Sequence, residues 1–167
     1  LRPGRRRERS PPRAMRRPRA MPRPRGLSLV ELLVVVAIMA ILVGAETVRK
    51  DNPQLCLPER CSLEREAAGL RPELTKVTLT RSGDLSPDAD FFCCGSGEKI
   101  VFTGKETLLH PGIIEKAAVI RSRKQDVQPS FMAGELWNRG IRSLLVEGGA
   151  GVAALFLTKG LVDRLRI

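Results

Sequence analysis

Apolar positions along the chain fall into short runs separated by polar and glycine-rich stretches. Ser143 to Glu147 is apolar except at its ends, as expected of a strand buried on both faces. Three glycines follow within four residues, Gly148, Gly149 and Gly151, and the apolar stretch Val152–Leu157 can carry a helix away from them. Lys76–Thr80 alternates as a strand does, and Lys99–Thr103 and Ala117–Arg121 are two further strand candidates. Ala40–Val43 suits a strand end, Gly44 a turn, and Thr47–Lys50 a short helical turn stopped by Asn52 and Pro53. Ser130 can cap a helix over Phe131–Arg139, with Gly140 as its stop. Beyond Gly160, Leu161–Ile167 predicts another strand, whereas Cys56–Arg71 is charged and irregular and reads as a connecting loop. Strands separated by helices or long crossovers predict an α/β sheet that is at least partly parallel.

A strand, a glycine turn and a helix start together make a site for a phosphate. Backbone N–H groups converge there, the missing Cβ atoms admit a ligand, and the helix dipole favours negative charge. Such glycines also serve plain tight strand-to-helix connections. Glu147 sharpens the functional reading, because open α/β sheets place their ligand chemistry at the C-terminal ends of the strands.

Charge changes the picture once it is located. The net charge of +11 suggests nucleic acid, but residues 1–26 hold eleven arginines against the single acid Glu8. The other residues carry 18 basic and 17 acidic side chains, so the remaining chain is nearly neutral and no specific nucleic-acid partner is expected. Residues 1–26 also contain six prolines and no apolar period, which predicts a disordered tail. Cys56, Cys61, Cys93 and Cys94 form no CxxC pair and His110 is the sole histidine, so the expectation is free thiols and no metal site.

Between tail and sheet lies Gly26-Leu27-Ser28-Leu29-Val30-Glu31, followed by the apolar run Leu32–Val43. This pattern resembles the N-terminus of type IV pilins and pseudopilins. The resemblance implies cleavage after Gly26, with Glu31 the glutamate five residues into the new N-terminus. Residues 27–43 would then form a helix at the borderline length for a single pass through a bacterial inner membrane, with the positive flank on the cytoplasmic side. Ile41–Val43 cannot lie both in that helix and in a sheet strand.

Three segments occur in a telling order: VGAETVRKDNPQL (43–55), KVTLTRSGDLSPDADFF (76–92) and LWNRGIRSLLVEGGAGVAALFLTKGLVDRLRI (136–167). Together they resemble the C-terminal reductase domain of the bifunctional riboflavin-biosynthesis deaminase/reductase proteins, over about residues 40–167. The resemblance implies a dihydrofolate-reductase-like α/β fold, with a mixed, mostly parallel sheet flanked by helices. It also implies NADPH as hydride donor and a small-molecule pyrimidine ribonucleotide, 5-amino-6-(5-phosphoribosylamino)uracil, whose ribosyl group is reduced to ribityl. A cytoplasmic location and a homodimer are implied with it. By the same resemblance Thr47 and Asp51 contact the cofactor. The segment Gly149, Ala150, Gly151, Val152, Ala153, Ala154 and Leu155 cradles its phosphates, and Leu55 and Glu147 line the substrate site. No residue is implied as a catalytic acid or base, since positioning dominates and the cofactor carries the chemistry.

The chain departs from that family in places. Where the family carries an arginine for the substrate phosphate, three residues after Leu55, this chain has Pro58, with Arg60 two residues further on. The family's opening strand is replaced by the pilin-like stretch and its closing hairpin does not follow, so the expected domain is incomplete. No HxE…PCxxC pattern occurs, which removes the zinc deaminase half. Three readings therefore stand: an NADPH-dependent reductase unit, a pilin-like membrane or secretion component, and a reductase fragment fused to a signal-like N-terminus without catalytic competence.

Overall fold

A computed structural model describes residues 39–147 and 149–165. The tail at 1–26 and most of the pilin-like segment, residues 27–38, lie outside the described residues. The elements run β1 (Met39–Gly44), α1 (Ala45–Asp51), α2 (Glu59–Ala67), β2 (Thr75–Thr80), α3 (Asp90–Cys93) and β3 (Lys99–Thr103). They continue with α4 (Pro111–Lys116), β4 (Ala118–Arg121), α5 (Pro129–Asn138), β5 (Ser143–Val146) and α6 (Ala150–Leu157).

The sheet has the order β4-β3-β2-β1-β5, and all four pairings are parallel. β1 sits between β2 and β5 because its apolar run can be buried on both faces: Ala40, Ile41, Leu42 and Val43 are all at most 5% exposed. Ile41 lies opposite Leu145 and Leu42 opposite Val146, so Ile41–Val43 is sheet strand and not helix.

Alternate residues supply two separate cores. One face presents Ala40, Leu42, Val77, Ile100 and Phe102 to Met132 and Leu136 of α5 and to Val152 and Phe156 of α6. The other presents Val43 and Val101 to Ala45 and Val48 of α1, Phe91 and Phe92 of α3, and Ile113 of α4. Burial of these side chains is the main force holding helices to sheet, at about 1.5–3 kcal/mol for each large one.

Five local expectations need correction. The strand expected to be buried on both faces at Ser143–Glu147 is β5, which lies at the edge of the described sheet with Leu145 exposed. Cys56–Arg71 is not a continuous loop, since α2 occupies Glu59–Ala67. It lacks an apolar stripe, buries only Arg65, and is supported by an Arg60–Glu64 pair at 3.0 Å one turn apart. Ser130 is not the cap of α5: Gln128 holds that position and Pro129 begins the helix, where its fixed φ is already helical and its missing N–H is not needed. Gly140 does end the helix, with φ +84; its N–H donates to Trp137 O at 2.9 Å while Ile141 N–H donates to Leu136 O at 3.0 Å, a paired closure. Residues 161–165 form no strand, and no neighbouring strand pairs with them among the described residues; 166 and 167 lie outside. The strand expected from Ala117 begins at Ala118. His110 caps α4, its Nδ1 accepting from Gly112 N–H at 3.1 Å.

Candidate functional site

The chain leaves β1 toward β2, β3 and β4 on one side and returns to β5 on the other. A parallel sheet opens a crevice at such a reversal, beyond the C-terminal ends of the strands. Here those ends are Gly44 of β1 and Val146–Glu147 of β5. Glu147 N–H donates to Leu42 O at 2.9 Å, so the ladder continues to the edge of the turn before the chain departs.

Two glycines let the walls of this crevice close. A β-carbon on Gly44 would come within 2.9 Å of Val152 Cγ2, so the end of β1 and the first turn of α6 pack with no room for a side chain between them. Gly149 has φ +77, a conformation that side-chain-bearing residues rarely adopt, and a β-carbon there would meet Thr47 Oγ1 at 3.4 Å. The Thr47 hydroxyl, carried on the first turn of α1, therefore lies against the turn that precedes α6.

Gly149 caps α6 without a side chain, and its carbonyl accepts from Val152 and Ala153 at 3.0 and 3.2 Å. Ala150 and Gly151 are exposed, and among the described residues their N–H groups have no hydrogen-bond partner. Val152 is buried and anchors the helix, Ala153 and Leu155 are half-buried, and Ala154 is exposed. This is the arrangement that accepts an anion: open first-turn donors on a helix whose other face is fixed. Gly148 lies outside the described residues.

The remaining expected residues separate. Asp51 ends α1 one helical turn beyond Thr47, on the same helical face, exposed and without a side-chain hydrogen bond or ion pair among the described residues. Glu147 is likewise exposed and unpaired there. Leu55 lies on the other face of the sheet from α6, packed against the core that includes Val43, Ala45 and Val48, and has φ +51. Arg60 does not take the place of the arginine that Pro58 displaces: it is highly exposed on α2 and its Nε is engaged by Glu64. Pro58 instead caps α2.

One part of the crevice has no signal in sequence. A cleft of about 170 Å³ is lined by Leu79, Thr80 and Arg81 at the end of β2, by Gln125–Gln128 before α5, and by Leu155 of α6. Arg81 pairs with Asp126 at 2.8 Å across its mouth. Only Leu155 is expected from sequence, because the other residues come from the end of β2, the segment after it and the segment before α5, which share no motif.

Comparison with known proteins agrees with this architecture. Residues 36–167 match the RibD C-terminal domain, and the chain belongs to that family. Residues 21–45 match the prokaryotic N-terminal methylation motif, which therefore overlaps β1. Over 132 residues the chain is 31% identical to the 2,5-diamino-6-ribosylamino-4(3H)-pyrimidinone 5′-phosphate reductase of Aquifex aeolicus, covering 76% of this chain and 54% of that protein. It thus spans about half the length of that curated relative. Among solved structures it is similar to the diaminohydroxyphosphoribosylaminopyrimidine deaminase/5-amino-6-(5-phosphoribosylamino)uracil reductase of Thermotoga maritima, with a TM-score of 0.57 and 32% identity over 78% of this chain and 34% of that one. A pyrimidine reductase-like protein of Corynebacterium diphtheriae shares the fold with a TM-score of 0.59 at 23% identity, covering 80% of this chain and 59% of that one. No helix among the described residues is long and apolar enough to cross a membrane.

Proposed function

We propose that residues 40–167 form an NADPH-dependent reductase unit of riboflavin biosynthesis, reducing the ribosyl group of 5-amino-6-(5-phosphoribosylamino)uracil to ribityl. The observation that carries this reading is the Thr47 hydroxyl lying against Gly149, beside the open N–H groups of Ala150 and Gly151. These residues fit a dinucleotide, since Gly149 has no side chain to fill the space and the Ala150 and Gly151 donors have no partner among the described residues. NADPH, when bound, supplies the hydride.

The chain's own residues bind, orient and exclude water. Ala150 and Gly151 offer N–H donors to a phosphate, and the α6 dipole adds to their attraction. Val152 and Phe156, buried against the sheet, hold that helix in place. Thr47 offers a hydroxyl to a ribose or amide group, and Asp51 a carboxylate one turn further along. Leu155 continues the binding surface into the cleft at Thr80 and Arg81. Leu55 and Glu147 contact the pyrimidine nucleotide, which is held so that its sugar carbon, in the imine form, meets the nicotinamide. The reaction needs one hydride and one proton, and turns C=N into CH–NH.

Titration of the purified chain with NADPH, followed by nicotinamide fluorescence, tests the cofactor half; no saturable change at millimolar cofactor overturns it. Turnover is then compared on the uracil nucleotide and on the 2,5-diaminopyrimidinone nucleotide, the compound in the name of the Aquifex relative. In this reading the domain acts in the cytoplasm as a homodimer, which sedimentation checks.

A second reading rests on the methylation-motif match at residues 21–45. In it the basic tail at 1–26 is removed and residues 27–43 anchor the product in a bacterial inner membrane. Intact-mass measurement after fractionation separates the readings, because a full-length product in the soluble fraction rules out processing.

A further inference from the structure

We propose that Lys76 is a positioning residue for the substrate side of the site, a buried ammonium that holds Leu55 in its left-handed conformation. The inference rests on the reading of Leu55 as a substrate-lining residue.

Lys76 lies on β2 between Ile41 and Lys99 and is fully buried. A buried charged amine is stable only where its protons are all used. Here Nζ donates to the carbonyl of Gln54, to Cys94 O at 2.8 Å and to Cys56 Sγ at 3.5 Å. Two of those three partners, Gln54 and Cys56, are the residues on either side of Leu55. A leucine with φ +51 is in an uncommon, strained conformation that persists only when its surroundings over-determine it. Lys76 supplies that constraint from a central strand, the most rigid part of the fold.

The same segment is fastened at both ends by other groups. Asp90 N–H donates to Asn52 Oδ1 at 2.9 Å, and Leu57 N–H donates to Glu73 Oε2 at 3.4 Å. These bonds fix where the segment begins and ends, while Lys76 acts at its centre. A β-carbon on Gly95 would fall 2.9 Å from Cys56 Sγ and 3.5 Å from Lys76 Nζ, so the backbone there closes tightly over the contact. Leu55 in turn packs against the core beneath α1, the helix that carries Thr47. The Gly149 turn and α6 belong to the opposite face. Loss of the anchor therefore acts first on the nucleotide substrate, and reaches the cofactor only indirectly, through α1 and its residues Thr47 and Asp51.

The test uses the full chain and the variants Lys76→Met, Lys76→Arg, Cys56→Ala and Leu55→Gly. Lys76→Met is expected to raise amide exchange across residues 52–58, with β1 and β3 unchanged, and to raise KM for the pyrimidine nucleotide about tenfold. Its NADPH affinity falls by a clearly smaller factor than its affinity for the nucleotide, because α6 and the Gly149 turn lie on the opposite face of the sheet. Lys76→Arg, which can still donate to both carbonyls, recovers most of the loss, and Cys56→Ala, which removes only the weak sulfur acceptor, changes little. Glycine adopts φ +51 without strain, so the Lys76→Met effect on KM shrinks in a Leu55→Gly background; where Lys76→Met does not fold, Lys76→Gln, which is too short to reach both carbonyls, makes the same comparison. Unchanged protection at 52–58, or a uniform rise across the sheet with KM, kcat and NADPH affinity failing together, overturns the inference. If the wild type neither binds NADPH nor turns over, the proposed function fails by itself, and exchange at 52–58 still decides whether Lys76 holds Leu55.

Discussion

The Thr47 hydroxyl lies in van der Waals contact, 3.4 Å, with the place a β-carbon on Gly149 would take. The relationship joins the first helix after β1 to the last helix, across the reversal point of the sheet. Gly149→Ala is expected to destabilise the fold by about 1–3 kcal/mol, from the positive φ at that position. It should weaken NADPH binding at the same time, which paired urea denaturation and fluorescence titration measure. Unchanged cofactor affinity in a destabilised variant would separate the turn's structural role from the proposed one.

Thr47 can be tested without touching the backbone. Thr47→Val keeps shape and removes the hydroxyl, and is expected to weaken NADPH binding by about 1 kcal/mol, or about fivefold. Thr47→Ser should retain most of the affinity. Equal affinity in all three proteins would remove Thr47 from the cofactor site.

Gly44 makes a steric prediction. A β-carbon placed 2.9 Å from Val152 Cγ2 must push α6 from the sheet, so Gly44→Ala is expected to lower stability by about 1–3 kcal/mol. Adding Val152→Ala should recover part of that loss, because the two sites share one contact. A double-mutant cycle in urea gives the coupling; strict additivity would mean that the helix does not bear on β1.

Cys94 makes a prediction about pH. Burial, followed by the charges of Asp90 and Cys56, pushes the Cys94 thiol above its ordinary value of 9.0. A raised folded-state value means that this group's contribution is fully present below the unfolded value and is lost as pH rises through the folded one. Stability should therefore decline in the alkaline range, and Cys94→Ser should remove that part of the decline. At mildly alkaline pH, alkylation followed by peptide mass analysis should label exposed Cys61 ahead of Cys94.

The strands were the most legible part of the chain because parallel strands are buried on both faces and read as apolar runs, as Ala40–Val43 and Lys99–Thr103 do. α2, α3 and α4 were not legible for the converse reason. α3 and α4 are too short to show a period, and α2 buries only Arg65. The strand expected over Leu161–Ile167 is not formed over 161–165, since apolar residues after a glycine break state what suits a strand but not whether a neighbour exists to pair with it. In the site, the meeting of Thr47 with the Gly149 turn was readable from two motifs distant in sequence. Thr80, Arg81 and Gln125–Gln128 were not, as a strand end and a loop from different crossovers meet only in three dimensions. Lys76 was hidden because a lysine at a strand start reads as solvated, and only the fold reveals carbonyls waiting for it.

The overlap at β1 sets a limit on how the N-terminal region can be used. β1 pairs with β2 through residues 40–44 and with β5 through residues 39–42, so drawing it into a lipid phase would part β5 from the rest of the sheet. With those six given to the domain, the apolar stretch has only residues 27–38 to spare, a helix of ~18 Å at most. A hydrocarbon layer of ~30 Å is too thick for that length. Insertion and folding therefore compete for the same stretch of polypeptide, and whichever happens first during synthesis excludes the other.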